Sequence, residues 1–164
     1  MLDWNLLFAA VSAVATVGLV IIAWKQLGDI KQGQRNWATL QVCDKYDLDP
    51  IIRTVVSRLK NYENTRLDET VAPVDANNGY GSKDDSITLL NYFDAIAIGM
   101  EQGFYVEDIV TDHLYGIMDG WIDILMSWDE LELTEANFKN WHQHLYKYVD
   151  GVRSDRNKVR AKNK

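Results

Sequence analysis

The sequence contains few of the residues that interrupt or cross-link a chain. Its 164 residues include only two prolines, Pro50 and Pro73, and so few helix breakers favour long helices. The single cysteine, Cys43, excludes an internal disulfide and fits a reducing compartment. The sequence also shows no strand-like alternation of apolar and polar residues and no internal repeat. These features predict an all-α fold.

Recognisable catalytic and metal-binding motifs are lacking as well. Gly79-Tyr80-Gly81 is not followed by the Gly-Lys-Ser/Thr of a phosphate-binding loop. His142 and His144 lie two positions apart on a predicted helix, so they point about 160° apart and cannot share a metal. No local signature pairs Cys43 with a histidine as a nucleophile. We therefore predict no catalytic residue, no metal site and no cofactor.

Positive charge is missing from the N-terminus, where no Lys or Arg precedes Lys25. Residues 6–23 carry no charge and have about the length that a bilayer core of roughly 30 Å requires. Trp4 and Trp24 bracket this run, where interfacial aromatic residues are common. A cleaved secretion signal needs a basic start and a small-residue cleavage site, and a buried core helix is a further alternative. The prediction is a transmembrane anchor over residues 1–24.

Basic residues follow this predicted anchor. Lys25, Lys31 and Arg35 lie just after the apolar run, and basic flanks stay on the cytoplasmic side of a membrane. We therefore expect a single-pass protein of the inner (cytoplasmic) membrane, with the lipid bilayer as a partner and the C-terminal domain in the cytoplasm.

Small residues gather on one side of the same helix. At 100° per residue, six of them fall within roughly 100° of one another. Such a stripe lets helix backbones approach closely in lipid, which predicts a homo-oligomer. The alternative is that small residues are common in any membrane helix. The predicted packing stripe consists of Ala9, Ser12, Ala13, Thr16, Val20 and Ala23.

Apolar spacing organises the remainder of the chain into a compact helical bundle. We predict a helical extension over residues 25–48, a bundle over 49–152 and a frayed basic tail over 153–164. Within the extension, Leu27, Ile30, Trp37 and Leu40 give a loose apolar period. The bundle helices are predicted from Pro50 with Asp49 as N-cap, from about Asp85 to Gly103, from Glu107 to Trp128, and after an N-cap at Thr134 with Phe138, Trp141 and Leu145 buried. Residues 65–84 are predicted to form a long loop.

The segment from Leu89 to Met118 resembles a family of small bacterial and phage membrane proteins of unknown function. The resemblance is carried by Asn91-Tyr92-Phe93-Asp94, then Gly103, then Glu107-Asp108. Val106 departs from the pattern, since a polar capping residue is usual there. The resemblance implies an N-terminal transmembrane helix with a C-terminal helical domain, and it implies no settled activity.

Charge is unevenly distributed along the chain, whose formal net charge is −7. Residues 84–138 contain 13 acidic residues and no Lys or Arg, whereas the last twelve residues contain six basic ones. One predicted helix face carries ordered acids, which suggests docking of a basic protein partner, such as the tail of a neighbouring copy, or of a cation. The alternative is a solvated face, and the charge disfavours nucleic acid. This acidic face consists of Asp108, Asp112, Asp119 and Asp123.

Taken as a whole, the sequence predicts a membrane-anchored cytoplasmic helical domain that acts by protein–protein interaction and is oligomeric. The alternative function is an oligomeric membrane-perturbing effector of the phage defence or lysis type, in which the packing stripe aligns several anchors. A membrane-tethered enzyme is a third class, and no residue supports it.

Overall fold

A computed structural model describes residues 4–67, 83–128, 131 and 133–162, without the side chains of residues 4–14 and 67. The described residues form helices and no strand, as the sequence predicts. Most of the predicted loop over residues 65–84 lies outside the described residues. The seven described helices are α1 (Trp4–Leu48), α2 (Pro50–Leu67), α3 (Lys83–Glu101), α4 (Glu107–His113), α5 (Tyr115–Met126), α6 (Glu135–Trp141) and α7 (Gln143–Lys162).

The chain divides into two compact units, Met1–Trp37 and Ala38–Lys164. The first unit consists of most of helix α1. Among the described residues, no helix is both long enough and apolar enough to cross a membrane. The first half of the predicted anchor, residues 6–14, lies outside the residues whose side chains are described.

The second unit holds a hydrophobic core built from the inner faces of α2, α3, α5 and α7, together with the end of α1. Helix α3 packs against both α2 and α7. The apolar residues of α2 and α3 recur at helical spacing and form buried inner faces. The buried side chains of these two helices include Ile52, Val55, Val56 and Leu59 of α2 and Leu89, Leu90, Phe93, Ile96 and Ala97 of α3.

Helix ends follow local rules at three positions. Asp49 Oδ1 accepts hydrogen bonds from the backbone N–H groups of Ile51 at 2.8 Å and Ile52 at 3.3 Å, which caps α2 as predicted. Thr134 Oγ1 accepts from the N–H of Asn137 at 3.2 Å and caps α6, also as predicted. Gly103 has φ +74, a left-handed conformation that glycine adopts without strain, and it follows the end of α3.

Two predicted helices are each divided in the structure. The helix predicted from Glu107 to Trp128 breaks at Leu114, whose φ is −117. The last predicted helix breaks at His142, whose φ is −130 and whose ψ is 55. This break changes which of two neighbouring side chains is buried. Trp141, predicted to be buried, is 59% exposed, whereas His142 is 5% exposed.

Two further findings concern helix faces and ends. Leu27, Ile30, Trp37 and Leu40, which give the predicted extension its loose apolar period, are all exposed. The end of α1 instead buries Thr39, Cys43 and Tyr46, spaced four and three apart on one side of the helix. The segment from Arg153 is not a frayed tail, since α7 continues to Lys162. Arg153, at the start of this segment, forms ion pairs with Asp119 and Asp123 of α5.

Candidate functional site: an exposed apolar helix and the acidic helices

Large apolar side chains stand exposed along helix α1. The exposed fractions are 60% for Val17, 68% for Leu19, 63% for Ile21, 54% for Ile22 and 79% for Trp24. Val20 is exposed to the same extent as Val17. At 100° per residue, four consecutive apolar residues from 19 to 22 point to every side of the helix. A helix that is apolar all round is usually buried in a large core or in a membrane.

The structure describes the side chains of three of the six residues in the predicted packing stripe. Thr16, Val20 and Ala23 are exposed. Ala9, Ser12 and Ala13 lie outside the residues whose side chains are described. Lys25, Lys31 and Arg35, which follow the apolar run on the same helix, are exposed as well.

The predicted acidic face is divided between two helices. Asp108 and Asp112 lie on α4, whereas Asp119 and Asp123 lie on α5, beyond the break at Leu114. Asp108 and Asp112 are exposed and form no ion pair within the described residues. The continuous stripe expected on one helix is therefore replaced by two separate pairs, because the helix does not run straight through residue 114.

The second acidic pair, Asp119 and Asp123, forms ion pairs with an arginine of the same chain. Arg153 on α7 donates from Nε to Asp119 at 2.5 Å and from a terminal nitrogen to Asp123 at 2.6 Å. Burial alone would lower the pKa of Arg153, but the hydrogen bonds that it donates to Asp123 and Asp119 raise this pKa above its usual range. The neighbouring Arg156 places its guanidinium 4.1 Å from the ring centroid of Tyr115. From the sequence, these acids suggested docking of a basic partner, such as the tail of a neighbouring copy, or of a cation, with a solvated face as the alternative.

Side chains from distant helices cap the starts of α4 and α7. The N–H of Val106, just before α4, donates to Thr39 Oγ1 at 2.9 Å. The N–H of Leu145, in the first turn of α7, donates to Asp94 Oδ1 at 2.9 Å. These acceptors supply the polar caps that the sequence lacks at Val106 and at the break in the last helix.

Histidines and the cysteine show no catalytic arrangement. Within the described part of the chain, no three His, Cys, Asp or Glu residues group closely enough to hold a metal ion. Cys43 is buried, and burial, with a contribution from Asp44, raises the pKa of its thiol to about 11. A thiol with this pKa is almost entirely protonated at pH 7 and is a poor nucleophile. His144 Nδ1 lies 2.6 Å from Glu101, which also accepts from Lys147 at 2.7 Å.

A cavity of about 310 Å³ lies in the second unit between α3 and the α6–α7 junction. Leu90 of α3 and Leu133 before α6 line its wall, and Trp141 and His142 complete it. Among the described residues, His142 Nδ1 is the buried side-chain atom that lacks a hydrogen-bond partner. The sequence signal for the burial of His142 is its spacing from Phe138 and Leu145, four and three residues away on the predicted apolar face.

The chain thus combines a leading helix, whose large apolar side chains between Val17 and Trp24 are exposed, with a compact all-helical domain. It belongs to the family described as Domain of unknown function (DUF4760), which matches residues 11–130. This range covers the segment from Leu89 to Met118 that carries the sequence resemblance, and it ends before α6 and α7. No curated protein and no solved structure matches the chain.

Proposed function

We propose that the N-terminal part of α1 anchors this chain in a lipid bilayer and that the helical domain acts from the cytoplasmic side by binding other proteins. The observation that carries the proposal is the row of large apolar side chains between Val17 and Trp24, each more than half exposed. Fully burying one such side chain is worth about 1.5–3 kcal/mol. Leaving six of them in water therefore forfeits about 1 kcal/mol or more for each.

Lipid accounts for this surface better than a protein partner does. A partner helix covers one stripe, whereas residues 19 to 22 turn apolar side chains to every side of α1. The exposed Lys25, Lys31 and Arg35 then mark the cytoplasmic end of the anchor. The resemblance to small bacterial and phage membrane proteins supports the same arrangement.

Membrane extraction tests the anchor with a matched pair of valines. Val17 and Val159 are 60% and 59% exposed, so lysine at either position is equally acceptable if both face water. In a bilayer, each lysine near the centre of a helix costs roughly 2.5–3.5 kcal/mol. We expect the wild type and Val159→Lys to stay in the membrane fraction after alkaline carbonate, and Val17→Lys combined with Val20→Lys to be released. Release of the wild type, or retention of all three, contradicts the anchor.

Topology is tested by adding protease to intact cells. The basic flank predicts that the domain is protected until the cells are opened. Digestion of the domain in intact cells would show that the orientation is reversed, while leaving the anchor itself in place.

Assembly through the packing stripe is a separate part of the proposal. Ala13→Leu adds bulk to the stripe and should lower the oligomer mass in detergent, because it keeps neighbouring backbones apart. Ile21→Leu, on another side of the helix, should leave the mass unchanged. A monomeric wild type would remove the oligomer. Ion leakage on expression that Ala13→Leu abolishes would favour the membrane-perturbing effector instead.

A basic protein partner can use only part of the predicted acidic face. Arg153 already pairs with Asp119 and Asp123, whereas Asp108 and Asp112 are exposed and form no ion pair within the described residues. Replacing this pair with asparagine should weaken binding of a basic partner, and rising salt should weaken the wild-type complex in the same way. Unchanged partner recovery after both treatments would show that this face is only solvated.

A further inference from the structure

The packing stripe of helix α1 continues beyond the apolar run with steps of three and four residues. At 100° per residue, the members of this longer series fall within about 100° of one another. Alternating steps of three and four residues are the spacing of positions a and d in the seven-residue repeat of a coiled coil. The series runs through Thr16, Val20 and Ala23 and then through four residues that we call the seam, Leu27, Ile30, Gln34 and Trp37.

The seam carries large apolar side chains that stand in water. The exposed fractions are 50% for Leu27, 57% for Ile30 and 64% for Trp37. Charged side chains are costly in the hydrocarbon core of a membrane, so lipid is a poor partner for this stretch of α1. The charged residues that alternate with the seam, all of them exposed, are Lys25, Asp29, Lys31 and Arg35.

The core of the helical domain does not use the seam positions either. The side chains that the end of α1 buries, Thr39, Cys43 and Tyr46, occupy positions f and c of the same repeat. In a coiled coil these positions point away from the partner helix. Positions a and d of α1 therefore remain available to another chain.

The size of the residues in the series changes where the apolar run ends. Thr16 and Ala23, within the run, are small, which suits close packing of helices in lipid. Leu27, Ile30 and Trp37, beyond the run, are large, and the burial of large apolar side chains drives association in water. One contact between identical helices, which runs from lipid into water, accounts for both halves of the series.

We propose that residues 27–37 of α1 pair with the same residues of a second copy of this chain as a parallel coiled coil. The inference rests on the proposed anchor, because insertion into one membrane aligns the copies in parallel and at the same level. Gln34 of each copy then meets its counterpart at a position a, where its amide can both donate and accept a hydrogen bond. A polar residue at a single position a fixes the register of a coiled coil at some cost in stability.

Disulfide formation between copies in isolated membranes tests the seam. Single cysteines are introduced into the full chain as Leu27→Cys, Ile30→Cys or Trp37→Cys, and on the other side of the helix as Asp29→Cys or Gln32→Cys. Paired seam residues come within the Cα separation of about 4.4–6.8 Å that a disulfide requires. The two control positions are kept farther apart, because the axes of packed helices already lie about 8–10 Å from each other. On oxidation, we expect cross-linked dimers from the three seam variants and their loss in the two controls.

The direction of pairing is read from the two ends of the seam. Leu27 and Trp37 lie about 15 Å apart along the helix, so antiparallel copies cannot bring both residues onto their own counterparts. Products from both variants therefore show a parallel pair. The wild type, whose Cys43 is buried, gives the background. Equal yields from Ile30→Cys and Gln32→Cys would indicate random collision and overturn the proposal, as would the absence of product at all three seam positions.

Failure of the seam is distinguishable from failure of the anchor. If alkaline carbonate leaves the wild type in the membrane fraction and no seam variant gives product, the coiled coil is wrong and the anchor stands. If carbonate releases the wild type, the anchor is wrong. The same oxidation of the released chain in buffer then decides whether the seam pairs.

Discussion

Replacing Arg153 with methionine removes the cation that joins α7 to α5 while keeping most of the apolar stem. The guanidinium binds Asp119 and Asp123, and the side chains of Arg153 and Asp119 are 39% and 29% exposed. Exposed ion pairs contribute about 0.2–1 kcal/mol each after solvent screening. With two carboxylates on one partly buried guanidinium, we expect the variant to lose about 1–2 kcal/mol of unfolding free energy.

Urea denaturation of the full chain measures this loss. A double-mutant cycle with Asp119→Asn separates the interaction from the effects of each single change. The cycle should give a coupling energy of about 0.5–1 kcal/mol at low salt, and a smaller value at high salt because mobile ions screen half-exposed charges. Lys158→Met is the matched control, since Lys158 pairs with Asp155 on the exposed surface of the same helix.

A loss of unfolding free energy in Arg153→Met that is no larger than the loss in Lys158→Met would contradict this prediction. A coupling energy of zero with Asp119 would also contradict it, because the loss would then come from the arginine stem alone. A stabilising effect of Asp119→Asn would show that repulsion within the acidic face outweighs the contact with Arg153.

Three further changes test other parts of the second unit. Gly99→Ala should lower stability by about 1–3 kcal/mol in urea denaturation, because the added Cβ would lie 2.3 Å from the Tyr105 ring, whereas Gly151→Ala meets nothing within 4 Å and should not destabilise. Asp94→Ala should cost about 1 kcal/mol by removing the cap of α7, measured in the same assay. Cys43 should resist iodoacetamide at pH 7 in the folded chain and react in urea, as followed by mass spectrometry.

The helix periods could be predicted from the sequence because apolar side chains recur with the helical repeat. Val55, Val56 and Leu59 of α2 follow this spacing and are buried. The caps Asp49 and Thr134 were also predictable, since each lies next to the helix that it caps. In both cases the information needed lies within a few residues of the feature.

The helix breaks could not be predicted, because the residues that cap the new helix starts lie far away in the sequence. Asp94 caps the start of α7 from 51 positions away, and Thr39 meets Val106 from 67 positions away. Only the folded chain brings these residues together, so a continuous apolar period over residues 107 to 128 predicted one helix. The contact of Arg153 with Asp119, 34 positions apart, was unpredictable in the same way, and the helix beyond Arg153 was missed with it.

The buried end of α1 has a consequence for synthesis of the chain. Thr39 bonds to Val106, Val42 to Tyr92 and Tyr46 to Trp121, with sequence separations of 67, 50 and 75 residues. The last of these partners leaves the ribosome about 4–15 s after Tyr46, at the usual rates of elongation. During that interval Tyr46, later in the core, lacks its hydrogen-bond partner Trp121. The buried end of α1 is thus completed only when α5 has been made, and a nascent chain stalled before α5 would leave part of this face uncovered.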